Sequence, residues 1–350
     1  MKRILGFFAL LAVVAALGVA GWWYWRIQRI RTFAQTPVAL AAARTVDIPS
    51  GSGPYRVATL LAEAGVISDA QRFYEFLRLE DLGPKLKAGE YEFAGSVTPR
   101  AVAAKIASGE VKVYRFTVPE GLRVDEILPI LASSELKLDA GKLARLTQDP
   151  AFLKKLGVPS NRIEGFLFPD TYTFTRGATE EAVLARMVQQ AFAAYRAAEG
   201  QRQPGIKLSQ LEAFTLASIV EKETSAVEER PRISCVFHNR LKVGMPLQTD
   251  PTVLYAMSLL RGTWVNNITR ADLQTPHPYN TYTTKGLPPG PIASPGAQAL
   301  AAALNPSQCD DLYFVSRNDG THIFCPDLKC HNAAVETWQR EFFRKKRKNG

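Results

Sequence analysis

VDIPSGSGPYRVATLLAEAG, residues 46–65, opens with a short β-prone run, turns through Pro49, Ser50, Gly51 and Ser52, and continues as a helix. Val57, Leu60, Leu61 and Ala64 stand at i, i+3, i+4 and i+7, an apolar face at the helical period. YEFAGSVTPRAVAAKIASGE at 91–110 and FTVPEGLRVDEILPILAS at 116–133 vary the same theme, the latter with Val124, Ile127, Leu128 and Leu131 in that spacing. Between the first two, SDAQRFYEFLRLE at 68–80 is another helix candidate, capped by Ser68 or Asp69. Short strands mixed with helices make the chain α+β. Residues 45–115 read as a small α+β module, and the third copy opens a larger mixed α/β domain at 116–341.

Towards the N-terminus the pattern changes. Ile4 to Trp25 is a run of 22 residues with no charge and no Pro, about 33 Å as a helix at ~1.5 Å per residue against a hydrocarbon core of ~30 Å. One transmembrane helix at 4–25 is the direct reading. Trp22, Trp23, Tyr24 and Trp25 fall where an interfacial aromatic belt is expected, and bulky WWYW is a poor neighbourhood for signal-peptide cleavage. Residues 1–3 are then cytoplasmic, 26–44 a tether, and the bulk of the chain lies across the membrane.

The 350 residues are 46% hydrophobic and 22% charged, a globular composition with room for two domains. Of the 43 basic residues, Lys2, Arg3, Arg26, Arg29, Arg31 and Arg344, Lys345, Lys346, Arg347, Lys348 make ten, leaving 33 against 33 acidic. The net charge of +10 thus belongs to the ends, the second being a basic tail at 342–350, and a nucleic-acid partner is not expected.

Within the larger domain, IEGFLFPDTYTF suggests a structured loop or strand, and TEEAVLARMVQQAFAAYRAA returns to helix. KLSQLEAFTLASIVEKE at 207–223 is helical in pattern. PRISCVFHNRLK has Pro231 in its first turn, with Ile233, Val236, Phe237, Arg240 and Leu241 on one face. Asp250 followed by Pro251 reads as a cap and first-turn proline for PTVLYAMSLLR. From 276 to 296 six prolines and three glycines crowd an irregular loop, a kind more often functional than connecting. LYFVSRNDGTHIF at 312–324 is a hairpin around Asn318, Asp319 and Gly320. Among the cysteines, a pair drawn from Cys309, Cys325 and Cys330 is expected in an oxidising compartment, with Cys235 a small buried residue. His322, Cys325, Cys330 and His331 do not follow a known zinc spacing, so no metal is expected.

Chemistry gathers around EKE at 221–223. At 100° per residue Glu223 lies within ~40° of Leu216 and Ile219, while Glu221 is ~200° round on the other side. A carboxyl held along an apolar wall at the negative end of a helix has its ionised form disfavoured, the condition a general acid needs near neutral pH. A helix-terminal Glu is otherwise an ordinary solvated or ion-paired residue. No phosphate loop, GxSxG elbow, HExxH or CxxC occurs, and no cofactor is expected. Gln248, Thr249, Asp250, Tyr279, Asn280, Thr281 and Tyr282 supply amides, hydroxyls and aromatics, a mixture suited to sugars, although each also has a structural use.

ASIVEKET at 217–224, HNRL then GMPLQTDPTVLYAM up to residue 257, YNTYTTKGLPPGPIASPG at 279–296, LYFVSRNDGTHIF and EGFLFPDTY at 164–172 together resemble the YceG-like family of endolytic murein transglycosylases, over nearly the whole chain. The resemblance implies a bacterial inner-membrane protein, single-pass, with its catalytic domain in the periplasm and a LysM-like module at 45–115. It implies Glu223 as the catalytic acid; Gln248, Thr249, Asp250, Asn280, Thr281 and Tyr282, by their chemistry, and Glu164 of EGFLFPDTY are expected to bind substrate. The implied reaction cuts the β-1,4 bond between N-acetylmuramic acid and N-acetylglucosamine within peptidoglycan strands, without water, and closes a 1,6-anhydro ring. Cell-wall synthases of the penicillin-binding class are the partners such an enzyme would meet. A muramidase using water and a second carboxylate, or a non-catalytic wall-binding scaffold, are the alternatives.

Overall fold

The computed structural model describes residues 2–341 and 344, with residues 2–5 as backbone alone. The basic tail expected at 342–350 therefore lies, except for Arg344, outside the described residues. The chain divides into two compact units, one holding the residues up to Tyr114 together with Thr173–Gly177, the other Arg115–Tyr172 and the chain from Ala178 onward.

The first unit begins with α1, Lys2–Gln35. Its stretch Gly6–Gln35 is long and apolar enough to cross a membrane, with an 18-residue window of mean hydropathy 2.0. Residues 26–35, read from the sequence as the start of a tether, continue α1 unbroken, and Ile30, Phe33 and Ala34 are buried in the core of the unit. There follow β1 (Val38–Ala39), β2 (Arg44–Ile48), α2 (Pro54–Glu63), α3 (Ala70–Leu79), β3 (Gly89–Phe93), β4 (Ser96–Val97), α4 (Pro99–Ser108) and β5 (Val113–Thr117). Antiparallel β2 and β3 set Val46 opposite Tyr91, and β1 pairs with β4. Over them Val57 and Leu61 of α2, Phe73, Phe76 and Leu77 of α3, and Val102 and Ile106 of α4 close one core. Each such side chain contributes ~1.5–3 kcal/mol by leaving water. Between the two cap candidates for α3, it is Asp69 whose Oδ1 accepts the Arg72 N–H, at 3.0 Å.

The second unit runs α5 (Val124–Ala132), α6 (Ala140–Leu146), α7 (Pro150–Leu156), β6 (Thr171–Thr175, whose last three residues belong to the first unit), α8 (Glu180–Glu199), α9 (Gln210–Glu223), α10 (Arg230–Lys242), α11 (Asp250–Arg261), α12 (Arg270–Gln274), α13 (Ala297–Leu304), β7 (Tyr313–Ser316), β8 (His322–Cys325) and α14 (Leu328–Val335). At its centre is α9, started by a reciprocal cap in which Ser209 Oγ accepts the Glu212 N–H and Glu212 accepts the Ser209 N–H. Every residue from Ala213 to Val220 is buried, and a helix apolar all round belongs in an interior. Phe166, Phe192 and Tyr195 ring Phe214, and α10, α11 and α13 pack alongside. The Ala-rich α13, absent from the sequence reading, supplies the small residues for that close approach.

The Pro- and Gly-rich loop is pinned to this centre. Ile292 N–H donates to Ser218 Oγ at 3.0 Å, and Gly296 N–H to Glu221 Oε2 at 3.0 Å. Gly165, at φ +82°, lies against Pro291 so closely that a Cβ would fall 2.2 Å from it. The cysteine expectation is corrected in one respect. Cys235 is not a lone buried thiol but bonds to Cys309, Cys325 bonds to Cys330, and no cysteine is free. The pairing of Cys235 joins positions 74 apart, a contact that spacing along the chain does not reveal.

Candidate active site

Glu223 is the last residue of α9, and beside it opens a cleft of about 470 Å³ lined also by Arg240, Gln248, Asp250, Tyr282, Tyr313 and His331. The carboxyl is half-buried and takes a hydrogen bond from the Thr249 hydroxyl. Burial pushes it up to about 7; Asp250 adds to the push, while the Thr249 hydroxyl and the Arg240 guanidinium oppose it. Such a group both gives and takes a proton at neutral pH.

A small hydroxyl cluster holds Thr249 in place. Its N–H donates to Thr281 Oγ1 at 3.0 Å, its carbonyl accepts the Thr252 hydroxyl at 2.7 Å, and the Thr252 and Thr281 hydroxyls are 2.8 Å apart. Gln248 precedes it at φ +49°, a turn that leaves its side chain exposed at the cleft. The sequence reading of Asp250 as a helix cap is corrected here. Thr249 occupies the cap position but its side chain makes no capping bond, because its hydroxyl faces Glu223, and Asp250 is the first residue of α11. The Asp250 carboxylate instead accepts the Tyr282 hydroxyl at 2.7 Å.

Arg240 belongs to the site although the sequence placed it only on the inner face of its helix. It is 7% exposed, and donates from Nε to Leu312 O at 2.6 Å and from Nη1 to Leu247 O at 2.7 Å. The residues before it act in the same way: His238 Nε2 meets Ala303 O at 2.9 Å, and Asn239 Nδ2 donates to Cys309 O at 2.9 Å and Asp311 O at 3.0 Å. HNR is thus a clamp by which α10 draws the 303–312 strand of chain past the cleft. Tyr313 and His331 are the other residues missed, and His331 Nδ1 is buried with no partner among the described residues. The signal available was a polar HNR run in a helix whose inner face is otherwise apolar.

Other expected site residues lie elsewhere. Asn280 is fully buried and donates to the carbonyls of Asp272, Leu273 and Thr275, at 3.1, 3.3 and 2.8 Å, fixing the loop from inside. Glu164 lines a second cavity, accepting the Val124 N–H at 3.1 Å and the Tyr255 hydroxyl at 3.3 Å; burial pushes it, too, up to about 7. Glu221 points away from the cleft, pairing with Arg230 Nη2 at 2.6 Å.

The model of the YceG-like family matches residues 46–337. An endolytic murein transglycosylase of Bacillus subtilis strain 168 is 32% identical over 309 residues, 84% of each chain. One from Streptococcus pneumoniae strain D39 is 30% identical over 346 residues, 89% of this chain and 60% of that one. The 2.6 Å crystal structure of a YceG-like protein from Listeria monocytogenes, 32% identical, covers 83% of this chain and 98% of its own at a TM-score of 0.55.

Proposed function

The chain belongs to the YceG-like family, and from that premise we propose that it is a lyase acting on peptidoglycan: an endolytic transglycosylase that cuts the β-1,4 bond between N-acetylmuramic acid and N-acetylglucosamine inside a glycan strand. The observation carrying this reading is the Glu223 carboxyl, raised to about 7 beside a cleft of hydroxyl, amide and aromatic groups.

Glu223 as the acid gives its proton to the glycosidic oxygen; the bond to muramyl C1 breaks and the N-acetylglucosamine end leaves with a free hydroxyl. The muramyl C6 hydroxyl then closes on C1, and its proton returns to Glu223, so the carboxyl is restored and a 1,6-anhydro ring formed. One carboxyl serves both steps because the nucleophile is already tethered within the substrate. In this scheme Thr249 holds the carboxyl, Gln248, Asp250 and Tyr282 meet the sugar, and Asn280 and Thr281 keep their loop in register. A water-using muramidase is the second reading, favoured by one observation: the Asp250 carboxylate lines the same cleft.

In the same proposal the apolar helix is a single-pass anchor in the bacterial inner membrane. Residues 45–115 form a LysM-like module that holds glycan, and 116–341 the catalytic domain on the periplasmic side, within reach of penicillin-binding-class synthases. The test is mass spectrometry of peptidoglycan digested by the full-length protein. Anhydro ends, lost in Glu223→Gln, support the transglycosylase; reducing ends would keep the residue and change the reaction to hydrolysis.

A further inference from the structure

The second cavity, about 350 Å³, lies beside α11, on which Tyr255 and Ser258 line it. These positions are five and eight residues beyond Asp250, or ~7–12 Å along the helix at ~1.5 Å per residue. A polymer that lay in the Glu223 cleft and ran along α11 would come within reach of it.

Its walls argue against another sugar site. The one indole, Trp264, already has the Arg123 guanidinium over its ring at 3.4 Å, and Arg123 is itself paired with Asp125 at 2.9 Å and Glu126 at 3.0 Å. That face of the indole is taken, and the other lining aromatic, Tyr255, packs on Tyr279 with ring centroids 4.9 Å apart. What the cavity offers instead is an apolar lining from Leu128, Ile163 and Leu259, the Glu164 carboxyl inside, and Arg162 exposed at the edge. The Arg162 guanidinium has no acidic partner among the described residues. A cation free to take a carboxylate, an acceptor for amide N–H groups and an apolar wall for methyls match a short acidic peptide.

We propose that this cavity binds the carboxylate-bearing stem peptide that hangs from the muramyl residue of the strand being cut, with Arg162 taking a carboxylate and Glu164 a backbone amide. The proposal rests on the peptidoglycan reading above and names a part of the substrate that the sugar cleft does not address.

Full-length protein in detergent, unaltered and as Arg162→Gln, is assayed on glycan strands with stems and on the same strands stripped of stems by an amidase. The expected result is a fall of about tenfold, carried by KM, in the preference for stem-bearing strands, the size of a lost charge-assisted hydrogen bond. An unchanged preference overturns the proposal, and so does an equal fall on both substrates, which would give the cavity to glycan. Titration of the free stem tetrapeptide, followed by calorimetry, runs independently of cleavage. Saturable binding weakened about tenfold in Arg162→Gln supports the site, and no binding overturns it. If the unaltered protein cut neither strand, the reaction proposed for Glu223 would fall while the titration still decided this one.

Discussion

On one side of the last turn of α9, Glu221 meets the Arg230 guanidinium at 2.6 Å and the Gly296 N–H at 3.0 Å. On the other side, two residues on, Glu223 meets a threonine hydroxyl and faces a cleft. Both carboxyls are pushed upward by desolvation, but only Glu221 is bonded to a cation, which it shares with Glu120, and to a backbone amide. Arg240, the cation nearest the Glu223 side, has its Nε and Nη1 on the carbonyls of Leu312 and Leu247. The contrast teaches that burial alone does not make an acid of a glutamate. What matters is that the neighbouring cation is already occupied.

The strongest test of that contrast is Glu223→Gln, which keeps volume and hydrogen bonding but cannot deliver a proton. Glycan cleavage should fall by at least ~10²–10⁴-fold with the denaturation midpoint nearly unmoved; surviving activity would put the chemistry elsewhere. Glu221→Gln should do the reverse. It leaves Arg230, itself 4% exposed, with only the more exposed Glu120 carboxylate, 3.4 Å away, as counter-charge, and breaking a buried pair from one side costs up to about 3–5 kcal/mol. A denaturant titration should register that loss, while the folded fraction still cuts glycan; an unchanged midpoint would mean the pair adds nothing to stability.

Next in size is the response to pH. A carboxyl raised from 4.5 to about 7 on folding makes the native state the better proton binder, so the stability it contributes is full below pH 4.5 and is lost as pH rises through about 7. In the proposed mechanism cleavage needs the protonated form and should decline over the same upper limb. Unfolding midpoints measured from pH 4.5 to 8 should fall for the unaltered protein and fall less for Glu223→Gln; parallel curves would remove Glu223 as the titrating group. The smallest effect is expected from Thr249→Val. The lost hydroxyl bond had opposed the upward push, so the alkaline limb of the pH–rate profile should move to higher pH, with a rate change of only a few-fold. Movement to lower pH would show that the hydroxyl does not stabilise the ionised carboxylate.

Much of this contrast was visible in residues 207–223, since helical period alone sends Glu221 and Glu223 to different sides. It does not tell that the Glu221 side is also interior, because Arg230 and Gly296, which make it so, come from two later segments. For the same reason Arg240 reads as a core-facing arginine until the 303–312 segment is laid across it. Cys235 looks solitary until Cys309 arrives. Thr249 is the subtler case: Thr-Asp-Pro at a helix start suggests capping by Asp250, and only a carboxyl brought up from α9 turns the threonine hydroxyl away from its own helix. In the first unit, α2, α3 and α4 follow their periodicity, but the end of α1 does not announce itself. Ile30, Phe33 and Ala34 are too sparse among arginines to read as a core face.

That unbroken α1 has a mechanical consequence. In the anchored orientation proposed here, the ten residues from Arg26 to Gln35 rise ~15 Å beyond the aromatic belt as one stiff rod, and the rod is built into the interior of the unit it carries. A flexible leash would let that unit sample a wide shell of the periplasm. A rod with its far end embedded in the unit fixes its height and makes its heading follow the tilt of the helix in the bilayer. If the first unit holds glycan as proposed, it would act as a gauge of standing distance, meeting strands at one set elevation above the lipid surface.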